Sequence, residues 1–251
     1  MSLDGKVAFV SGASRPKGIG RAIALTLAKL GADVAVTGKS HFEGAVSVAE
    51  EIKGMGRNSV AIKMDATDYE DVKKGFAEVK QKLGAVTILI NNAAQMGRFV
   101  PIHKIIIEEW DNEVKTCLNS AFYCIKETWA DMCANKWGRI VSITSVAGVM
   151  GGYGQTSYGA AKAGLIALAK SVALEGARFN ITSNAVLVGV ASTDAPLADE
   201  VRQKLENRIA MHRLAEPQEI ASAVAYLASD EAQYMTGAVM NMMGGLDLFV
   251  F

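Results

Sequence analysis

A tyrosine stands four residues before a lysine at two places in the chain, Tyr69/Lys73 and Tyr158/Lys162. On a helix that spacing puts both side chains on one face, where the ammonium favours a phenolate beside it. A free phenol titrates near 10, so bringing it close to 7 takes about 4 kcal/mol of favourable electrostatics. A phenol tuned in this way is a proton-transfer group. Spacing alone does not choose between the pairs, but context does. Tyr158 follows Ser145 by thirteen residues, and Ser145 lies just past the apolar run 139–143. The carboxyl ends of strands in a doubly wound sheet are where ligands bind. Gly159, Ala160, Ala161, Ala163 and Gly164 surround Lys162 and leave room for a second molecule. Tyr69/Lys73 has no matching serine and lies among Asp65, Asp68, Glu70 and Asp71, as an exposed helix start would. That pair is the decoy.

A second chemical feature follows the first apolar run, 7–10. Its sequence is Ser11-Gly12-Ala13-Ser14-Arg15-Pro16-Lys17-Gly18-Ile19-Gly20. Glycines there let the backbone turn sharply and approach a pyrophosphate, while the next helix points its amino end at that charge. The position, after a strand and before an apolar helix, is the confirming context. No Gly-Lys-Ser/Thr closes the motif, so a Walker-type loop is excluded. The expected contacts are Gly12, Ser14, Arg15, Gly18, Ile19 and Gly20. The second strand ends Thr37-Gly38-Lys39-Ser40 without the acid that would bind unphosphorylated ribose hydroxyls. Lys39 and Ser40, with Arg15 and Lys17 nearby, predict NADP, and NADPH over NADH.

Positioning these groups requires alternating strands and helices. Short apolar runs at 7–10, 34–37, 60–62, 86–90, 139–143, 181–188 and 238–242 read as strands. Helical spacing marks the segments between them, including 107–133, 158–179, 198–211 and 217–228. Strands apolar on both faces call for a parallel sheet covered on each side. The predicted fold is α/β: a single doubly wound Rossmann-type domain, 1–251, with a parallel sheet of about seven strands. Half of the 251 residues are hydrophobic, and 26 Lys+Arg balance 26 Asp+Glu. Such a chain has a core and no basic stripe, so nucleic acid is not an expected partner. No run approaches the length needed to cross a bilayer. Cys117, Cys124 and Cys133 lack C-x-x-C spacing and read as buried thiols of a reducing, cytoplasmic compartment. His41, His103 and His212 are scattered, which predicts no metal site and no hydrolase triad.

Together these marks resemble the short-chain dehydrogenase/reductase family over nearly the whole chain. The residues that carry the resemblance are Gly12…Gly18-Ile19-Gly20, Asn91-Asn92-Ala93-Ala94, Asn119, Ser145 and Tyr158-Gly-Ala-Ala-Lys162. The resemblance implies that Tyr158 is the general acid in carbonyl reduction and the base in alcohol oxidation. Lys162 would lower its pKa and hold the nicotinamide ribose. Ser145 would hydrogen-bond the substrate oxygen, and Asn119 would hold a water linking Lys162 to solvent. Asp65 and Ala66 would contact adenine, Asn91 and Ala93 the adenosine side, and the loop carrying Val190 and Thr193 the carboxamide. The glycine loop departs from the family by a Pro16-Lys17 insertion, Val188 stands where a proline is usual, and Ala94 replaces a glycine.

The stretch 151–164 is similar to the 3-oxoacyl-(acyl-carrier-protein) reductase branch, with Lys136 at one basic docking position and Phe179 at another. The implied substrate is a small carbonyl or alcohol. Dehydrogenation of a small alcohol, sugar, cyclic ketone or steroid, with NADP or NAD, is the rival. A non-catalytic NADP-binding subunit is a rival of another class. Substrate choice is expected from 95–100, 146–155 and 193–212. The last of these, with Pro196, Leu197 and Met211, is either a lid or an amphipathic surface helix. A homotetramer built on the helices around Asn119 and Lys162 is the implied assembly.

Overall fold

The computed structural model describes residues 1–95, 97–195 and 197–248. Seven strands form one parallel sheet. They are β1 (Val7–Val10), β2 (Asp33–Gly38), β3 (Ser59–Lys63), β4 (Ile88–Asn91), β5 (Gly138–Ser145), β6 (Ile181–Val188) and β7 (Val239–Met242). Their order across the sheet is β3-β2-β1-β4-β5-β6-β7. The order therefore reverses between β1 and β4, and the loops leaving those two strands diverge. A cleft opens at such a reversal, which is where ligands of this fold class sit.

Side chains alternate across the sheet as the strand period requires. Ala8 and Val10 enter the apolar layer shared with α1 (Ile19–Lys29), α2 (Phe42–Gly54) and α9 (Pro217–Ala228). Val7 and Phe9 enter the opposite layer, with α3 (Tyr69–Leu83), α5 (Ser120–Asn135) and α7 (Thr156–Gly176). There Phe9 stacks on Phe76 with ring centroids 4.3 Å apart. Both faces of the sheet are buried, which explains why the strands read as continuous apolar runs.

The segment expected as one helix over 107–133 is continuous but changes pitch. It comprises α4 (Ile107–Val114), a π-helical turn at Lys115–Asn119, and α5. A π turn carries an extra residue and rotates the face that follows it. A short helix not read from the sequence, α6 (Ala147–Met150), follows β5. The segment 198–211 contains α8 (Asp199–Arg208), none of whose residues is buried. Leu205 of this helix, with Leu197 and Ile209 flanking it, packs with Leu187, Leu214, Met243 and Leu246. Pro196 lies outside the described residues. Among the described residues no helix is long and apolar enough to cross a membrane.

Candidate active site

Helix α7 brings the chemical pair to the end of β5. Ser145 is the last residue of that strand, and Tyr158 lies in the first turn of the helix beside it. The Tyr158 phenol is hydrogen-bonded to Ser145. Lys162 is 2% exposed, and its Nζ donates to the Ile143 carbonyl at 2.8 Å. In return Thr144 Oγ1 donates to the Lys162 carbonyl at 2.8 Å, so helix and strand are tied in both directions. Nζ sits 5.7 Å from the centroid of the Tyr158 ring. A buried ammonium held by one carbonyl has donors to spare.

The electrostatics differ from expectation in one respect. Burial, reinforced by the thiol of Cys117 and the carboxylate of Glu113, pushes the Tyr158 phenol up to about 12, against the opposing hydrogen bond from Ser145. Burial also lowers the pKa of Lys162. In the free protein the phenol is therefore firmly protonated.

Asn119 closes the π turn that packs beside α7. It is half-buried, with no side-chain cap bond, and neither Tyr158 nor Lys162 is hydrogen-bonded to it. Cys117 lies in the same turn. It is buried, it lies within electrostatic reach of both Lys162 and Tyr158, and its Sγ reaches the Gln95 carbonyl at 3.5 Å. Burial holds its thiol above the ordinary range. Cys117 begins the buried stripe that continues through Ala121, Cys124, Ile125, Thr128 and Met132. That stripe was the available sequence signal. Glu113, one turn before Cys117, was also missed: its Oε2 accepts from Ser157 Oγ and its Oε1 from the Gly97 amide.

The decoy is structural. Asp68 caps α3 by accepting from the amides of Glu70 (2.9 Å) and Asp71 (3.3 Å). The Tyr69 hydroxyl donates to Glu127 at 2.6 Å, and that bond raises its pKa further.

At the other half of the cleft, the glycine loop is locked to the segment after β4. The amides of Asn92 and Ala93 both donate to Ser11 Oγ at 3.0 Å, and Asn92 Nδ2 donates to the carbonyls of Ser11 and Gly12 at 2.9 Å. Gly12 has φ +69°, and a Cβ there would lie 2.9 Å from the Ala93 Cα, so only glycine fits. Gly18 precedes α1 without a side-chain cap, and the first turn of α1 holds no acid, leaving an electropositive helix end toward the cleft. Asn91 donates to Ser142 Oγ at 3.3 Å, while its Oδ1 is buried with no partner. An unsatisfied buried acceptor at the reversal point suits a ligand donor.

Three expected cofactor contacts, Lys39, Asp65 and Arg15, are ion-paired within the protein. Lys39 Nζ lies 2.5 Å from Asp65 Oδ2, and that pairing holds the Asp65 carboxyl below its usual range against the opposing effect of burial. Arg15 lies 4.0 Å from Asp194, across the cleft. Ser40 is exposed and Ala66 half-buried. Val190 and Thr193 lie in the loop after β6, where the Ala215 amide donates to the Val190 carbonyl at 3.0 Å.

Comparison with known proteins agrees with this geometry. Residues 12–247 match the family model described as enoyl-(acyl carrier protein) reductase. The chain is 40% identical over 243 residues to a 3-oxoacyl-(acyl-carrier-protein) reductase of Staphylococcus aureus, covering 96% of this chain and 98% of that one. It is 42% identical over 248 residues to the protein of the same name from Pseudomonas aeruginosa, covering 98% and 99%. The chain is a short-chain dehydrogenase/reductase. It is thus an oxidoreductase, and the non-catalytic reading falls away. Among solved structures, a candidate short-chain alcohol dehydrogenase from Sinorhizobium meliloti superposes with a TM-score of 0.93 at 33% identity, covering 99% of each chain. A candidate gluconate dehydrogenase from Agrobacterium tumefaciens gives 0.93 at 28% identity, covering 99% of this chain and 98% of that one. Fold class and family therefore stand as the sequence indicated.

Proposed function

We propose that this enzyme reduces a ketone to a secondary alcohol with NADPH, and that its substrate is a 3-oxoacyl thioester. The observation that carries the reading is the Tyr158 phenol, hydrogen-bonded to Ser145 and backed by the buried ammonium of Lys162. Ser145 donates to the substrate carbonyl oxygen and holds it against the phenol. Tyr158 gives that oxygen its proton as charge builds there. Lys162 supplies positive charge beside the phenolate left behind and has free donors for ribose hydroxyls. The nicotinamide, when bound, supplies the hydride for the carbonyl carbon.

The reversal point suits the dinucleotide: the Gly12 turn, the uncapped start of α1 and the unpartnered Asn91 Oδ1 lie on the strands and helix that meet there. Gly12, Ser14, Arg15, Gly18, Ile19 and Gly20 are the proposed pyrophosphate contacts. Asp65, Ala66, Asn91 and Ala93 are those of adenosine, and Val190 and Thr193 those of the carboxamide. Lys39 and Ser40 would take the 2′-phosphate, with Lys39 exchanging Asp65 for it. The names of the relatives favour the thioester, whereas the two solved neighbours favour oxidation of an alcohol. The exposed apolar side chains of Ile107, Phe122 and Leu174, on α4, α5 and α7, support assembly into a homotetramer.

The test is consumption of NADPH with an acetoacetyl thioester, run beside NADH and beside small alcohols with the oxidised cofactors. Thioester turnover with NADPH well above NADH is expected. Turnover only with an alcohol would replace the thioester reading by the dehydrogenase one.

A further inference from the structure

Glu113 takes no part in the proton transfer itself beyond helping to raise the Tyr158 pKa, yet both its carboxylate oxygens are bonded to segments beside the phenol. Oε2 accepts from the hydroxyl of Ser157, a buried residue directly before Tyr158. Oε1 accepts from the amide of Gly97, in the loop that leaves β4. One side chain thus joins three elements: α4, the start of α7 and the 97–100 loop. Two further ties hold that loop to the same neighbours. Arg98 Nη2 donates to Glu109 at 2.6 Å, one helical turn before Glu113. The Val100 amide donates to the Gly154 carbonyl at 3.1 Å. Gly154 has φ +72°, and a Cβ there would lie 2.9 Å from the Val100 nitrogen, so the two segments touch backbone to backbone.

We infer that Glu113 is a positioning residue that staples the 97–100 loop to the residue before Tyr158, fixing the substrate-facing wall of the cleft relative to the reacting phenol. Hydrogen bonds to an ionised carboxylate are the stronger kind, and here both oxygens are used. The loop lacks regular secondary structure and would otherwise sample other positions. A substrate whose carbonyl must meet both Ser145 and Tyr158 gains from a wall already in place. Cys117, on the same face one turn later, contacts the Gln95 carbonyl and supports the same loop from its other end.

The experiment pairs Glu113→Gln and Ser157→Ala, singly and together, with amide hydrogen exchange of the free protein. Both single variants should speed exchange in the peptide spanning 97–100, by about tenfold, with little change elsewhere. The kinetic arm rests on the function proposed above. There KM for the carbonyl substrate should rise about fivefold while kcat changes less than about twofold. The double variant should be no worse than Glu113→Gln alone, because that change already disturbs the bond that Ser157 makes. Glu113→Asp should recover part of the loss. Unchanged exchange at 97–100, a fall in kcat with KM unmoved, or losses that multiply in the double variant would overturn the staple. Should Glu113→Gln not fold, Ser157→Ala removes a single hydroxyl and carries the same test. If no carbonyl compound is turned over by the wild type, the proposed function falls, and hydrogen exchange alone decides the staple.

Discussion

With its phenol pushed up to about 12, Tyr158 in the free protein is protonated at neutral pH, as the proposed proton donor must be. The sign of the pH dependence follows. Only the protonated phenol can give its proton to a carbonyl oxygen, and at pH values well below its pKa of about 12 it is almost fully protonated. Reduction rates should vary by less than about twofold between about pH 6 and about pH 9. Oxidation of the product alcohol needs the phenolate, whose population grows with pH, so its rate should climb through the same window. Initial rates in both directions over that range check this, and a reduction rate that falls steeply as pH rises from about 6 to about 9 would contradict it. The thiols make a second contrast. Cys117 and Cys124 are buried, and burial raises both pKa values, that of Cys124 to about 12, whereas Cys133 is only half-buried. Alkylation at pH 8 followed by mass spectrometry should label Cys133 first and leave activity intact. Early labelling of Cys117 would contradict the burial argument.

Among elements, α3 and the α4–α5 segment show opposite sides of sequence legibility. The start of α3 was readable: Asp68 caps it through two amides, and the acidic stretch around Tyr69 marked an ordinary helix start. Asp68→Ala should cost about 1 kcal/mol of stability, seen as a lower Tm, with kcat unchanged. Tyr69→Phe should likewise keep full activity in the same assay. Loss of turnover in either would revive the discarded pair. The α4–α5 segment was read as one helix, without the π turn at its centre. The π turn at Lys115–Asn119 turns Cys117 inward, and hydrophobic spacing carries no mark of such a turn. Glu113 escaped notice because its partners, Ser157 and the Gly97 amide, are distant in sequence. The strands and the glycine loop were legible because continuous apolar runs and a glycine-rich turn each admit few physical interpretations. The Lys39–Asp65 pair was not, since each residue was assigned a separate ligand contact.

At the scale of the whole molecule, the sheet fixes everything the chemistry needs. Ser145 ends a central strand, Tyr158 and Lys162 lie on the helix tied to it, and the glycine loop leaves the strand at the reversal of order. Phe9, fully buried and stacked on Phe76, lies in the layer beneath α3. Phe9→Ala should cost about 3–5 kcal/mol, read in a denaturant titration. A cost below about 1 kcal/mol would mean that this layer is loosely packed. The apolar faces of α5 and α7 leave Phe122 48% and Leu174 84% exposed, which water tolerates poorly in combination. Changing both to lysine should convert the proposed tetramer into smaller species by sedimentation. An unchanged sedimentation coefficient would remove those faces from the assembly.

The most direct single measurement is the turnover of Tyr158→Phe against wild type under saturating NADPH and acetoacetyl thioester, with Tm recorded for both. That substitution keeps the ring and deletes only the hydroxyl. Loss of about 100-fold or more in kcat, with a Tm close to wild type, is the expected result. A variant that folds normally and turns over at the wild-type rate would contradict the assignment of Tyr158 as the proton donor.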